Sequence, residues 1–149
     1  MMKFQRHNPS TNALDRNNCV PRALCIATGV DYDHVAKVCA EAGRVFGRGM
    51  FPKSINLALQ VLTGDSSTKL VPAADDGRFV SVDTYGGERK HRWVNLAPTF
   101  AQFAALNPTG RFIVLRDSHA VALSNGTYYD MAQQTCGARS RVTYWCRVA

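Results

Sequence analysis

The chain has no apolar run approaching the ~20 residues that a membrane-spanning helix requires. Its opening, Met1-Met2-Lys3-Phe4-Gln5-Arg6-His7-Asn8-Pro9, lacks the apolar core of a secretory signal. The expected location is therefore the cytoplasm of the producing or infected cell, away from any membrane. No Cys-x-x-Cys pair occurs, and none of the cysteines (Cys19, Cys25, Cys39, Cys136, Cys146) stands at zinc-finger spacing with histidines. Neither a disulfide framework nor a structural metal site is expected, and no cofactor is called for; reduced thiols suit a cytosolic setting. Acidic residues are scarce: 11 Asp and Glu against 18 Lys and Arg leave a net charge of +7. That surplus points to an acidic partner such as nucleic acid, or only to good solubility. Repeats, linkers and low-complexity tracts are also missing.

What is present is enough for one globular domain over residues 1–149, with 46% apolar residues to fill a core. Residues 1–16 are polar and read as an irregular lead-in. A helix over 17–29 follows, with Asn17 or Asn18 as N-cap, Pro21 in the first turn and Gly29 as stop. Val20, Ala23, Leu24, Ile26 and Ala27 make it apolar nearly all round, so it belongs inside the molecule. Asp31 or Asp33 opens a second helix to about Ala42, and Pro52 opens a third that ends at Gly64. Short strands are expected at 69–72 and 78–82, then a Gly86-Gly87 turn and a helix from Pro98 or Thr99 through Leu106. The last forty residues alternate in the manner of strands, at 111–115, 119–124, 127–131 and 141–148. Helices first and an antiparallel sheet afterwards make the class α+β.

The helix at 17–29 carries Cys19 in its first turn, where free N–H groups and the positive end of the dipole favour a thiolate. A small apolar residue at a helix start is the ordinary explanation for such a cysteine. A nucleophile needs a base. Asn125-Gly126 is the strongest short hairpin signal in the chain and serves as a ruler. If these two residues form the turn, Ser124 pairs with Thr127, and His119 and Asp130 fall on one face as diagonal neighbours, roughly 7–8 Å apart at Cβ. An imidazole needs an acceptor on its second nitrogen to fix tautomer and orientation, and Asp130 is placed to be that acceptor. Val121, Leu123 and Tyr128 share the face and are expected to pack on the Cys19 helix. Cys25, Cys39, Cys136 and Cys146 read as structural thiols, and His7, His34 and His91 as solvent-facing.

These pieces resemble the papain-like cysteine peptidase superfamily, most closely its small bacterial and phage members and the bacteriocin-processing peptidase domains. The resemblance rests on Asn18-Cys19-Val20-Pro21-Arg22-Ala23, the strand from Gly110 to Leu115, Ser118-His119-Ala120-Val121-Ala122-Leu123, and Asn125-Gly126-Thr127-Tyr128-Tyr129-Asp130. It implies a papain-like fold, with a buried nucleophile helix packed on the sheet, and a thiol hydrolase acting on a protein or peptide. Cys19 would be the nucleophile, His119 the base and then acid, and Asp130 the orienting residue. Many relatives place a glutamine shortly before the cysteine to complete the oxyanion hole. Here the nearest upstream glutamine is Gln5. Asn12, Asn17 or Asn18 is left to donate, and Asn17 is preferred because Asn18 is the better-placed cap.

The same acyl-enzyme logic covers cleavage of a peptide or isopeptide bond, deamidation and acyl transfer. A reading of a different class remains beside it: a non-catalytic binding protein on the same fold. Its contact surface would be the run Arg89-Lys90-His91-Arg92-Trp93. This run ordinarily reads as a solvated loop, but Arg89, Lys90 and Arg92 could meet phosphates or an acidic protein while Trp93 stacks on a base.

Overall fold

The structure, a computed structural model, describes residues 2–73, 78–83, 86–87, 89–94, 97–131, 137 and 139–149; for 78–83 and 89–94 it describes the backbone alone. Its elements in chain order are β1 (Lys3–Arg6), α1 (Cys19–Thr28), α2 (Tyr32–Glu41), α3 (Pro52–Thr63), β2 (Val71–Pro72), β3 (Arg78–Asp83), β4 (Arg89–Val94), α4 (Phe100–Leu106), β5 (Arg111–Arg116), β6 (His119–Ser124), β7 (Thr127–Asp130) and β8 (Tyr144–Arg147). The class is α+β. Six strands form one mixed sheet in the order β1-β7-β6-β5-β8-β2, and β3 pairs with β4 by itself.

Local chemistry sets the helix ends. Gly29 and Gly64 close α1 and α3 in the left-handed conformation that costs glycine little. Pro52 sits in the first turn of α3, where a missing N–H is no loss. Thr99 and Gln102 start α4 with a reciprocal capping box. The cap of α1 departs from expectation: Asn18 holds the N-cap position, yet no side-chain cap bond forms among the described residues. Its amide instead donates to Tyr32 Oη (3.0 Å) and Ser10 Oγ (3.2 Å).

The sheet separates two apolar clusters. On one face α1, α2 and α3 bury Val20, Leu24, Val35, Ile55 and Leu59 against Ile113, Leu115, Ala120 and Cys146. On the other, Phe100 and Phe103 of α4 meet Phe112, Val114, Val121, Leu123 and Tyr128. Phe100 stacks on Tyr128 at 5.1 Å, and the Tyr128 hydroxyl donates to the Phe100 carbonyl at 2.8 Å. Each fully buried leucine, isoleucine or phenylalanine contributes about 1.5–3 kcal/mol by leaving water.

Four expectations need correction. The lead-in at 1–16 is not wholly irregular: Lys3–Arg6 forms a strand parallel to β7, which makes the sheet mixed rather than antiparallel. A tetrapeptide with one apolar residue carries no periodicity; the open edge of β7, with unpaired backbone groups, supplies the order. The basic run at 89–93 is no loop but part of β4, in register with β3 from Arg78↔Val94 to Asp83↔Arg89. Val121, Leu123 and Tyr128 pack on α4, not on the Cys19 helix, which takes the opposite face through Ala120. Val142, within the strand expected over 141–148, instead precedes β8 and joins the α4 cluster.

Candidate active site

The hairpin ladder runs Ala122↔Tyr129, Leu123↔Tyr128 and Ser124↔Thr127, the register that Asn125-Gly126 predicts. Both turn residues have positive φ, 47° and 79°, as a two-residue turn matched to strand twist demands. His119 begins β6 and Asp130 ends β7, both beyond the last rung of that ladder. His119 Nε2 lies 2.6 Å from Asp130 Oδ2, and the Met131 N–H donates to Oδ1 at 2.7 Å. Asp130 is 5% exposed, so its charge is shielded from water and directed at the ring.

With Nε2 engaged by Asp130, Nδ1 is the ring nitrogen left for the Cys19 thiol at the start of α1. Burial pushes the Cys19 thiol up, but a hydrogen bond with His119, one from the Ala120 backbone and the nearby positive charges of His119 and Arg22 outweigh it, and its pKa is lowered. The hydrogen bond with Asp130, then that with Cys19, raise the His119 pKa to about 9. Opposite shifts on the two groups favour the thiolate–imidazolium pair over the neutral one. The other described cysteines behave differently. Burial raises Cys25 and Cys146, and takes Cys39 to about 11.

Cys19 and His119 border two cavities. One, of 580 Å³, is the more polar of the two, lined mostly by polar residues, Asn17, Asn18, Arg22 and Ser118 among them. The other, of 360 Å³, is mostly apolar and is walled by Val20, Met50, Phe51, Ile55, Leu115 and Tyr144. Asn17 has φ 51°, its amide donates to the Gly47 carbonyl at 3.0 Å, and a second hydrogen on the same nitrogen is left for another acceptor. Asn12 accepts from the Leu14 N–H and stands exposed.

Two features of the site escaped the sequence reading. Asp15 and Arg44 form a buried bidentate pair, both contacts 2.8 Å, and Asp15 also accepts from the Gly47 N–H at 3.1 Å. This pair clamps the segment before Cys19 to the loop between α2 and α3, which carries Gly43, Gly47 and Gly49, and Arg44 donates to the Arg16 carbonyl as well. Arg22, three residues after Cys19, places a guanidinium nitrogen 3.7 Å from Asp130 Oδ1. The i,i+3 spacing to Cys19 was the available signal for Arg22; nothing local marks the Asp15–Arg44 pair.

His7 and His34 are exposed. Cys136 lies outside the described residues, as do the side chains of Arg89, Lys90, His91, Arg92 and Trp93, so the contacts expected of that run are not described. Among the described residues no group of three or more His, Cys, Asp or Glu is placed to hold a metal ion, and no helix is long and apolar enough to cross a membrane. Set against known proteins, the chain matches no family model, no curated protein and no solved structure.

Proposed function

We propose that the chain is a papain-like cysteine hydrolase, in which Cys19, His119 and Asp130 cleave a peptide or isopeptide bond through an acyl-enzyme. The observation that carries this reading is the His119–Asp130 contact of 2.6 Å beside the one described cysteine whose pKa is lowered. The thiolate of Cys19 attacks the substrate carbonyl, forming a C–S bond as the carbonyl oxygen takes the negative charge. The Cys19 backbone N–H, uncapped at the helix start, and the free hydrogen of the Asn17 amide stabilise that oxygen. Imidazolium of His119 gives its proton to the leaving amine as the C–N bond breaks. Water, losing a proton to His119, then attacks the thioester and frees Cys19. Asp130 remains ionised throughout and keeps the ring oriented.

The apolar cavity next to Cys19 suits a bulky apolar side chain beside the scissile bond. Deamidation and acyl transfer use the same first step and differ in leaving group or in the second nucleophile. The test is alkylation of Cys19 by a neutral electrophile such as iodoacetamide. Rapid labelling at neutral pH, confined to Cys19 and lost in His119→Ala, is the expected result. Slow labelling that follows an ordinary thiol titration and ignores His119→Ala overturns the reading. Among amide substrates, those with a large apolar residue at the cleavage site are turned over, and His119→Ala lowers kcat/KM by about 10³-fold or more.

A further inference from the structure

We propose that Arg22 is a positioning residue for the Cys19–His119–Asp130 group, holding the carboxylate oxygen that His119 does not use and laying a fixed positive charge beside the thiol. This rests on the reading of Cys19 as nucleophile given above. Arg22 stands one turn along α1 from Cys19, on the same side of the helix. Its guanidinium reaches 3.7 Å from Asp130 Oδ1, with the two side chains 11% and 4% exposed, and it lines the polar cavity shared by Cys19 and His119.

The contact works by charge. At 3.7 Å it is too long for a hydrogen bond, and Asp130 already accepts one from Met131 and one from His119. Arg22 is therefore not needed to satisfy the carboxylate. Its own Nε is buried and has no hydrogen-bond partner among the described residues. A group whose role was to complete a polar network would not leave its inner donor unmet. Burying a cation is costly without an opposite charge, and here the opposite charge is shared between Asp130 and the thiolate.

The direction of the effect follows from the signs. A cation beside the thiolate lowers the thiol pKa; removing it raises that pKa. The same cation partly cancels the field of Asp130 at the imidazole and repels the imidazolium, so removing it raises the His119 pKa too. Other charges border the group. Asp15 and Arg16 come from the segment before α1, Arg48 and Asp117 from the apolar cavity, and Arg6 lies opposite Asp130 on β1. All stay in place when only Arg22 is changed, so a difference between variants belongs to Arg22.

The experiment compares Arg22→Gln and Arg22→Lys with the unsubstituted chain. It reads the pH dependence of Cys19 alkylation by iodoacetamide and the NMR titration of the His119 ring protons. In Arg22→Gln the acid limb of alkylation moves up by about one pH unit, which makes labelling roughly tenfold slower below the limb. The His119 midpoint moves up as well, and Arg22→Lys returns both toward their starting positions. Limbs and midpoint unmoved in Arg22→Gln, whatever the overall rate, overturn the proposal; so does Arg22→Lys behaving as Arg22→Gln. Arg22→Met keeps the apolar stem and serves as the second neutral variant if Arg22→Gln does not fold. The triad reading is decided separately, by His119→Ala in the unsubstituted background.

Discussion

At the scale of single residues, the site turns on which of two groups holds one proton. Asp130 and Cys19 together raise His119 to about 9, while Cys19 is lowered from the usual thiol value. In the proposed reaction the thiolate takes a proton on the acid side and stops attacking; on the basic side His119 loses the proton that the leaving amine needs. Turnover of an amide substrate is therefore expected to be bell-shaped, with its basic limb near pH 9, and a kcat/KM profile checks it. Alkylation does not need that proton and persists above the basic limb. A rate that climbs monotonically through pH 9 for both reactions leaves His119 without a part as acid.

At the scale of elements, the β6–β7 hairpin sets the distance between His119 and Asp130. Gly126 has φ 79° with only an ordinary contact to Pro108 available to an added side chain, so the cost of replacing it is conformational. Gly126→Val is expected to cost about 1–2 kcal/mol, since left-handed backbone disfavours a branched residue. That corresponds to a fall in Tm of roughly 2–8 °C for a domain of this size. Cys19 alkylation slows with it if the register slips. His119 and Asp130 were legible from the sequence because a two-residue turn makes strand pairing a matter of counting. The same arithmetic could not tell which helix covers the strand faces. Val121 and Leu123 carry no mark that assigns them to α4 rather than α1. The strand Lys3–Arg6 was equally hidden, because its order comes from the edge of β7 and not from its own four residues. In β4 the basic side chains of 89–92 masked a pairing that extends over six registered positions.

At the scale of the whole molecule, the Asp15–Arg44 pair ties the approach to Cys19 to the loop after α2, across 29 positions of sequence. No local pattern announces such a pair, because both ends read as loop residues until the fold brings them together. Each side chain is 4% exposed. Arg44→Met leaves the Asp15 carboxylate buried without its cation, an expected loss of about 3–5 kcal/mol measurable by denaturant unfolding. The Arg44 hydrogen bonds hold Asp15 below the ordinary carboxylate pKa of 3.8. A lowered folded pKa contributes stability that is present above the unfolded value and lost as pH falls through the folded one. The acid unfolding midpoint of Arg44→Met should accordingly lie at higher pH than that of the unsubstituted chain.

Cys19 and His119 stand 100 positions apart in the chain. During synthesis, at about 5–20 residues per second, the thiol precedes its base out of the ribosome by roughly 5–20 s. In that interval α1 has no imidazole beside it, and Cys19 is an ordinary thiol with no particular appetite for carbonyls. On the reading of Cys19 as nucleophile, reactivity arrives only when β6 and β7 close, so a half-made molecule carries the thiol in an inert form. Opening of the same hairpin in the finished protein has the reverse effect, parting His119 and Asp130 from Cys19 and exposing the face of α1 that Ala120 covers.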